Sequence, residues 1–145
     1  MGAVSFIDTS VFVAILAKEP DYRELSRAIA AAESRLTSPI VRLETSIVLG
    51  SRLLVTPREA ERQYEKFLDQ AEVVETTIDF AVGAAAVACF EKYGKGKHPA
   101  RLNFADCLSY ACAKTAGARL LFKGEDFAKT DVNESWEVSR EPPSR

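Results

Sequence analysis

Short apolar segments alternate with helical segments along the chain, and this alternation constrains the fold more than any other feature. The apolar runs at residues 4–7, 36–38, 73–75 and 119–122 have the length and residue types of buried strands. Strands separated by helices form largely parallel sheets with helices on their faces. The sequence therefore predicts an α/β fold with a mostly parallel four- or five-stranded sheet, in which residues 132–138 would form a last edge strand.

Capping residues and helical spacing mark the segments between the strands. Ser38-Pro39 and Thr56-Pro57 each open a helix with proline at its first position. Thr77 is the predicted cap of a later Ala-rich helix. The predicted helices are a helical hairpin or broken helix over residues 11–32, followed by helices at 39–53, 57–70, 78–93 and 103–115.

The size and charge of the chain limit its class. A chain of 145 residues with 47% hydrophobic residues is expected to form one domain around one core. We assign residues 1–138 to that domain and residues 139–145 to a short flexible tail. The formal net charge of −2 gives no global basic footprint, which argues against a plain DNA-binding module.

Cysteine and histidine usage favours an intracellular protein without zinc. The three cysteines, Cys89, Cys107 and Cys112, lie in apolar surroundings without a close pair, as expected of buried free thiols in a reducing compartment. A zinc site of ordinary type is not expected with His98 as the single histidine. Neither a signal peptide nor a membrane-length apolar segment is recognisable, so we expect a cytoplasmic protein that makes no membrane contact.

Acidic residues follow the first and last predicted strands. Asp8 comes directly after residues 4–7, and Glu125 and Asp126 lie in the turn after residues 119–122. Parallel strands place their carboxyl ends at one edge of a sheet, where ligands bind in open α/β folds. Asp8 is also a good helix N-cap, and the two interpretations remain open.

Two further acids occur on helices. Glu44 is predicted to lie on the core-facing side of its helix, with Ile40, Leu43, Ile47 and Leu54, where an unpaired carboxylate is costly. A structural ion pair with Arg42 or Arg52 would also explain it. Asp106 comes three residues after Asn103, so the two residues either form a capping box or present the carboxylate to a ligand.

Together these acids indicate a metal site. Carboxylates at close range repel one another and keep their protons unless a cation joins them. Oxygen ligands suit Mg²⁺, with Mn²⁺ as a possible substitute, and the natural chemistry is phosphodiester hydrolysis by metal-activated water. The candidate catalytic and metal-binding residues are Asp8, Glu44, Asp106 and Asp126.

Several motifs in order resemble the PIN-domain family, and within it the VapC toxins of bacterial toxin–antitoxin pairs. The resemblance rests on Phe6-Ile7-Asp8-Thr9-Ser10, Glu44 on its helix, Leu102-Asn103-Phe104-Ala105-Asp106-Cys107, Leu120-Leu121-Phe122-Lys123-Gly124-Glu125-Asp126-Phe127 and Thr130-Asp131-Val132. It implies an α/β/α sandwich and a Mg²⁺-dependent endoribonuclease of a type II toxin–antitoxin system. It also implies an RNA substrate, a cognate antitoxin protein and a homodimer.

The resemblance also implies roles for single residues. Asp8 and Asp106 match the family's metal-binding aspartates, and Glu44 matches its second acidic position. Ser10 and Asn103 match supporting polar positions. The fourth acid is less direct, because many relatives have Thr-x-Asp where this chain has Phe122-Lys123-Gly124. We choose Asp126 for that role, with Glu125 and Asp131 as competitors.

The loop at residues 94–101 carries the densest positive charge in the chain. Lys95, Lys97 and Arg101 are candidate contacts for RNA phosphates, with His98 as a potential fourth cation. Such contacts supply affinity but little sequence choice. A solvated lysine-rich loop is the alternative interpretation.

Two other functions are weighed against the nuclease. A catalytically silent PIN-like module that binds RNA or protein would be favoured if one essential acid were missing, and Asp8, Glu44 and Asp106 are all present. An aspartate-nucleophile phosphatase or phospho-accepting regulator is also disfavoured. Ser10 occupies the second acid position of the Asp-x-Asp motif of such phosphatases, and the sequence has no crowded acid pair beside the first strand.

Overall fold

A four-stranded parallel sheet forms the centre of the protein, whose computed structural model describes residues 3–134. The strands are β1 (Val4–Ile7), β2 (Ser34–Thr37), β3 (Val74–Glu75) and β4 (Arg119–Leu121), in the order β3-β2-β1-β4. All three neighbouring pairs are parallel, with Phe6 of β1 opposite Leu36 of β2 and Leu120 of β4. This confirms the predicted α/β fold with a parallel sheet.

Helices connect the strands in pairs. They are α1 (Thr9–Leu16), α2 (Tyr22–Ala31), α3 (Pro39–Leu53), α4 (Pro57–Ala71), α5 (Phe80–Tyr93) and α6 (Phe104–Thr115). Crossovers between parallel strands are right-handed. The chain steps from β1 to β2 and β3 in one direction and returns past β1 to β4, so this rule places α1–α4 on one face and α5–α6 on the other. The packing agrees, since α1 contacts α2, α3 and α4, and α5 contacts α6.

The core lies on both sides of the central strand. Phe6 and Ile7 of β1 are fully buried, as is Leu120 of β4. On the α1–α4 side, the ring of Phe12 meets the ring of Tyr64 edge-on at a centroid distance of 5.0 Å. Burial of such large apolar and aromatic side chains is the main stabilising contribution, and it holds β1, which ends directly before Asp8, in the core.

Side-chain caps explain where most helices begin. The predicted caps Ser38, Thr56 and Asn103 each accept a hydrogen bond from a backbone N–H in the first turn of their helix. The predicted start of α5 is wrong. Asp79, not Thr77, caps it by accepting from the N–H of Val82 at 3.0 Å, because an Asp directly before the helix makes the same bond two residues later.

The structure corrects the predicted core face of α3. Leu43, Ile47 and Leu54 are exposed by 59%, 53% and 91%, while Val41 and Leu49 are buried. The helix therefore packs through a face rotated from the predicted one. The exposed residues form an apolar surface, which a helical periodicity pattern does not distinguish from a buried one.

The predicted edge strand at residues 132–138 is not observed where the structure describes it. Residues Asp131–Glu134 form a 3₁₀ helix, after a first one at Phe127–Lys129. Residues 135–138 and the predicted tail lie outside the described residues. Within residues 3–134, no helix is both long and apolar enough to cross a membrane.

Candidate active site

Asp8 occupies the carboxyl end of the central strand and is held there by several hydrogen bonds. Its backbone N–H donates to the carbonyl oxygen of Leu121 at 3.1 Å, which joins it to β4. Its Oδ2 accepts from the N–H and the hydroxyl of Ser10, at 3.1 and 2.8 Å. Asp8 thus caps α1 and also lies at the edge of the sheet, so both sequence interpretations hold at once.

Burial strongly affects the Asp8 carboxyl. The residue is 5% exposed, and desolvation raises the pKa of its carboxyl against the opposing effect of the Ser10 hydrogen bonds. Among the described residues, the groups that most affect this pKa are hydroxyl and backbone N–H groups, so a negative charge at this position is costly without a counter-charge.

Glu44 lies half-buried on α3 without a basic partner among residues 3–134. The ion pairs proposed from the sequence are wrong. Arg42 donates to Glu75 and Glu61, each at 2.9 Å, and Arg52 donates to Glu19 at 2.6 Å. Burial and the negative charge of Asp8 raise the pKa of the Glu44 carboxyl, whereas the nearby Thr9 hydroxyl lowers it.

Asp106 combines a capping role with a place among the acids. Its Oδ2 accepts from the N–H of Asn103 at 3.0 Å, and the Asn103 Oδ1 accepts from the N–H of Asp106 at 2.9 Å. This is the predicted capping box. Burial, together with the charges of Asp8, Glu44 and Asp126, raises the pKa of the Asp106 carboxyl to about 7. The capping bond occupies Oδ2 and fixes the carboxylate at the start of α6.

These three acids line one cleft of about 380 Å³. The cleft lies where the strand order reverses, beside the carboxyl ends of β1 and β4, which is the usual ligand position in open α/β sheets. The structure therefore brings Asp8, Glu44 and Asp106 together from three separate parts of the chain. Ser10 also lines the cleft, whereas Asn103 acts through its bonds to Asp106.

The donor set fits a hard divalent cation. All three acids offer oxygen atoms, and burial raises the pKa of each carboxyl group, so three separate negative charges are costly there without a counter-charge. Within residues 3–134, no three acidic, histidine or cysteine side chains stand close enough to hold an ion between them unaided. Mg²⁺ commonly binds one or two carboxylates and keeps several waters, so it does not require a complete protein cage.

The three candidates for the fourth acid have different surroundings. Asp126 is exposed and outside the cleft lining, but its charge contributes to the raised pKa of Asp106. Glu125 is exposed as well. Asp131 is already engaged, because it accepts from the Tyr110 hydroxyl at 2.6 Å and from the Lys114 ammonium at 2.7 Å. Asp126 therefore stays our prediction.

The basic loop forms a separate depression rather than a wall of the cleft. Lys95, Lys97 and Arg101 are exposed and line it with His98. The His98 ring packs edge-on against Tyr93 at 5.0 Å, and its Nδ1 accepts from the N–H of Ala100 at 3.0 Å. His98 thus organises the loop, and the three exposed cations remain candidates for RNA contact.

Three charged residues that line the cleft were not predicted as site residues from the sequence: Glu19, Arg52 and Lys123. Arg52 follows Glu44 by eight residues with Val48 between them, so a four-residue spacing along α3 was a usable signal. Lys123 comes directly after the last predicted strand, where side chains converge. Nothing in the sequence pairs either cation with Glu19.

Comparison with known proteins identifies the family. Residues 5–133 match the PIN domain. The chain belongs to the PIN-domain family. This PIN domain is 38% identical over 141 residues to a VapC ribonuclease of Rhizobium meliloti, covering 89% of this chain and 99% of the relative. It is 44% identical to ribonuclease VapC of Mycolicibacterium smegmatis, covering 87% of this chain and 95% of the relative.

Solved structures confirm the fold of this PIN domain. The toxin VapC20 of Mycobacterium tuberculosis, described as cleaving the sarcin–ricin loop, superposes with a TM-score of 0.66 at 19% identity, covering 86% of this chain and 92% of that one. A toxin–antitoxin complex from Klebsiella pneumoniae gives a TM-score of 0.66 at 18% identity, covering 88% of this chain and 93% of that one. At these identities the likeness concerns the fold alone.

Proposed function

We propose that this PIN domain is a Mg²⁺-dependent endoribonuclease and the toxin of a type II toxin–antitoxin pair. The observation that carries the proposal is the cleft in which Asp8, Glu44 and Asp106 meet with raised carboxyl pKa values. The names of the relatives support it, since VapC ribonucleases match this chain over almost their whole length.

Each residue has a defined part in the proposed reaction. Asp8, Glu44 and Asp106 hold the cation, directly or through water, with Asp126 as the fourth acid. When bound there, Mg²⁺ or Mn²⁺ would lower the pKa of a water molecule and offset negative charge on the phosphate. Ser10 keeps Oδ2 of Asp8 oriented, and Asn103 fixes the carboxylate of Asp106.

The proposed partners are an RNA substrate, a cognate antitoxin protein and a second copy of the chain, and we expect these encounters to occur in the cytoplasm. Lys95, Lys97 and Arg101 supply additional cations for the RNA backbone. Exposed apolar side chains include Leu43 and Ile47 on α3, Val87 on α5 and Phe104 at the start of α6. Apolar exposure of this kind is typical of interaction surfaces and supports the expectation of protein partners.

Cleavage of total RNA tests the proposal. We expect purified, antitoxin-free protein to cut labelled total RNA in the presence of Mg²⁺ or Mn²⁺ and to leave it intact in excess chelator. Restoration of cutting when Mg²⁺ is added back would exclude damage by the chelator. If folded protein cuts nothing with several divalent metals but still retains RNA or a protein partner, the silent binding module replaces the nuclease.

A further inference from the structure

Two basic side chains at the rim of the acidic cleft share one glutamate. Lys123 follows β4, and its Nζ lies 2.5 Å from Oε1 of Glu19 and 2.9 Å from Oδ1 of Asp21. Arg52, in the last turn of α3, places a guanidinium nitrogen 2.6 Å from Oε2 of the same Glu19. One carboxylate thus holds a lysine and an arginine from distant parts of the chain side by side.

These cations are positioned relative to the acids by the main chain. The backbone N–H of Lys123 donates to the Ser10 hydroxyl at 3.0 Å, and that hydroxyl donates to Oδ2 of Asp8 at 2.8 Å. Arg52 lies on the same helix as Glu44, two turns later. Both cations are therefore anchored to elements that also carry an acid of the site.

Both side chains retain hydrogen-bonding capacity. A lysine ammonium has three donors and an arginine guanidinium has five. Within residues 3–134, Lys123 uses its ammonium for Glu19 and Asp21, and Arg52 uses one guanidinium nitrogen for Glu19. The remaining donors suit phosphate oxygens, which arginine and lysine bind through charge-assisted hydrogen bonds.

The acidic cleft would repel an RNA strand unless positive groups lie nearby. An RNA strand carries one negative charge per nucleotide, so the three carboxylates of the cleft repel its phosphates, and phosphates beyond the reach of a bound cation need other positive groups. Among the described residues that line the cleft, Lys123 and Arg52 are the positively charged ones. The loop cations Lys95, Lys97 and Arg101 line a different depression.

We propose that Lys123 and Arg52, held together by Glu19, bind the RNA phosphates next to the scissile one. This pair, the phosphate clamp, acts by binding and orienting a single RNA strand across the acids. The inference rests on the proposed function, because it names how the same site takes its substrate. It goes beyond the predicted loop contacts by placing phosphate recognition inside the cleft.

Binding of fragmented RNA tests the phosphate clamp. In an Asp8→Asn background, which keeps the RNA uncut, fluorescence anisotropy with labelled fragments of total RNA is measured from about 50 to 200 mM salt. Each contact with a single-strand phosphate contributes about 0.7 to the magnitude of the slope of log affinity against log salt concentration. The double variant Arg52→Met/Lys123→Met should therefore have a slope smaller in magnitude by about 1.4. We expect affinity at the lower salt to fall about tenfold. The variant Arg52→Met/Lys123→Arg keeps the positive charge at residue 123. Compared with Arg52→Met/Lys123→Met, it should recover about half of the lost slope, which is the share of one contact.

A matched pair of cations outside the cleft provides the control. Arg58 pairs with Glu61, and Lys114 pairs with Asp131, so Arg58→Met/Lys114→Met removes the same charge and also breaks surface ion pairs. The clamp is overturned if the cleft variant loses no more affinity and slope than this control. If the wild type cuts RNA in that case, the proposed function survives alone. A wild type that neither binds nor cuts RNA overturns both proposals.

Discussion

Asp8→Asn is expected to abolish RNA cleavage while leaving the protein folded. If Asp8 binds the metal as proposed, its loss removes several kcal/mol of transition-state stabilisation, and the cleavage rate should fall by at least about a thousandfold. The fold should persist because asparagine caps helices as well as aspartate does and its side-chain oxygen still accepts from Ser10. Cleavage of labelled total RNA, with circular dichroism of the same samples, measures both.

Asp69→Asn is the matched control for this substitution. Asp69 is exposed on α4 and does not line the cleft, so its change should cost no more than about 0.5 kcal/mol of unfolding free energy. Cleavage by this variant should match the wild type. Full activity in folded Asp8→Asn protein, or equal loss in both variants, would contradict the assignment of the site.

Asp106→Asn is expected to abolish cleavage and to change the pH dependence of stability. The pKa of Asp106 is raised from 3.8 to about 7 by burial and neighbouring acids. Between these two pH values the folded state binds more protons than the unfolded state, so without metal the free energy of unfolding falls as pH rises. Asparagine does not titrate, so Asp106→Asn should not show this decrease in the free energy of unfolding.

The raised pKa of Asp106 determines how strongly the free energy of unfolding depends on pH. From pH 5 to pH 8 in chelator, the wild type should lose on the order of 2 kcal/mol more unfolding free energy than Asp106→Asn, allowing for partial solvent screening. Urea denaturation at several pH values measures the difference. Asp69→Asn, a change of an exposed aspartate on α4, should follow the wild type. Parallel profiles for Asp106→Asn and the wild type would contradict the raised pKa.

Local signals in the sequence were sufficient for the elements that carry the site. Asp8 could be placed because a short apolar run ends directly before it, and this pattern marks both a strand end and a helix cap. Asn103 and Asp106 could be paired because the capping box is a local motif that spans four residues. Such features depend on neighbouring residues, so they survive whatever the tertiary packing does.

Features that depend on contacts between distant parts of the chain could not be predicted from the sequence. The periodicity of α3 indicated that Leu43 and Ile47 face the core, yet an apolar surface left for a partner gives the same pattern. The bonds of Lys123 and Arg52 to Glu19 join segments up to 104 residues apart. The sequence contains these charges, but only the fold brings them into one cleft.

Titration with Mn²⁺ tests the central claim, that Asp8, Glu44 and Asp106 together bind a divalent cation. Isothermal titration calorimetry at pH 8, above the pKa of about 7 for Asp106, compares the wild type with Asp8→Asn and Asp106→Asn. The expected result is a binding isotherm for the wild type and affinity at least about tenfold weaker in each variant, since each removes a charged ligand. Equal Mn²⁺ affinity in all three proteins, or no binding by the wild type, would contradict it.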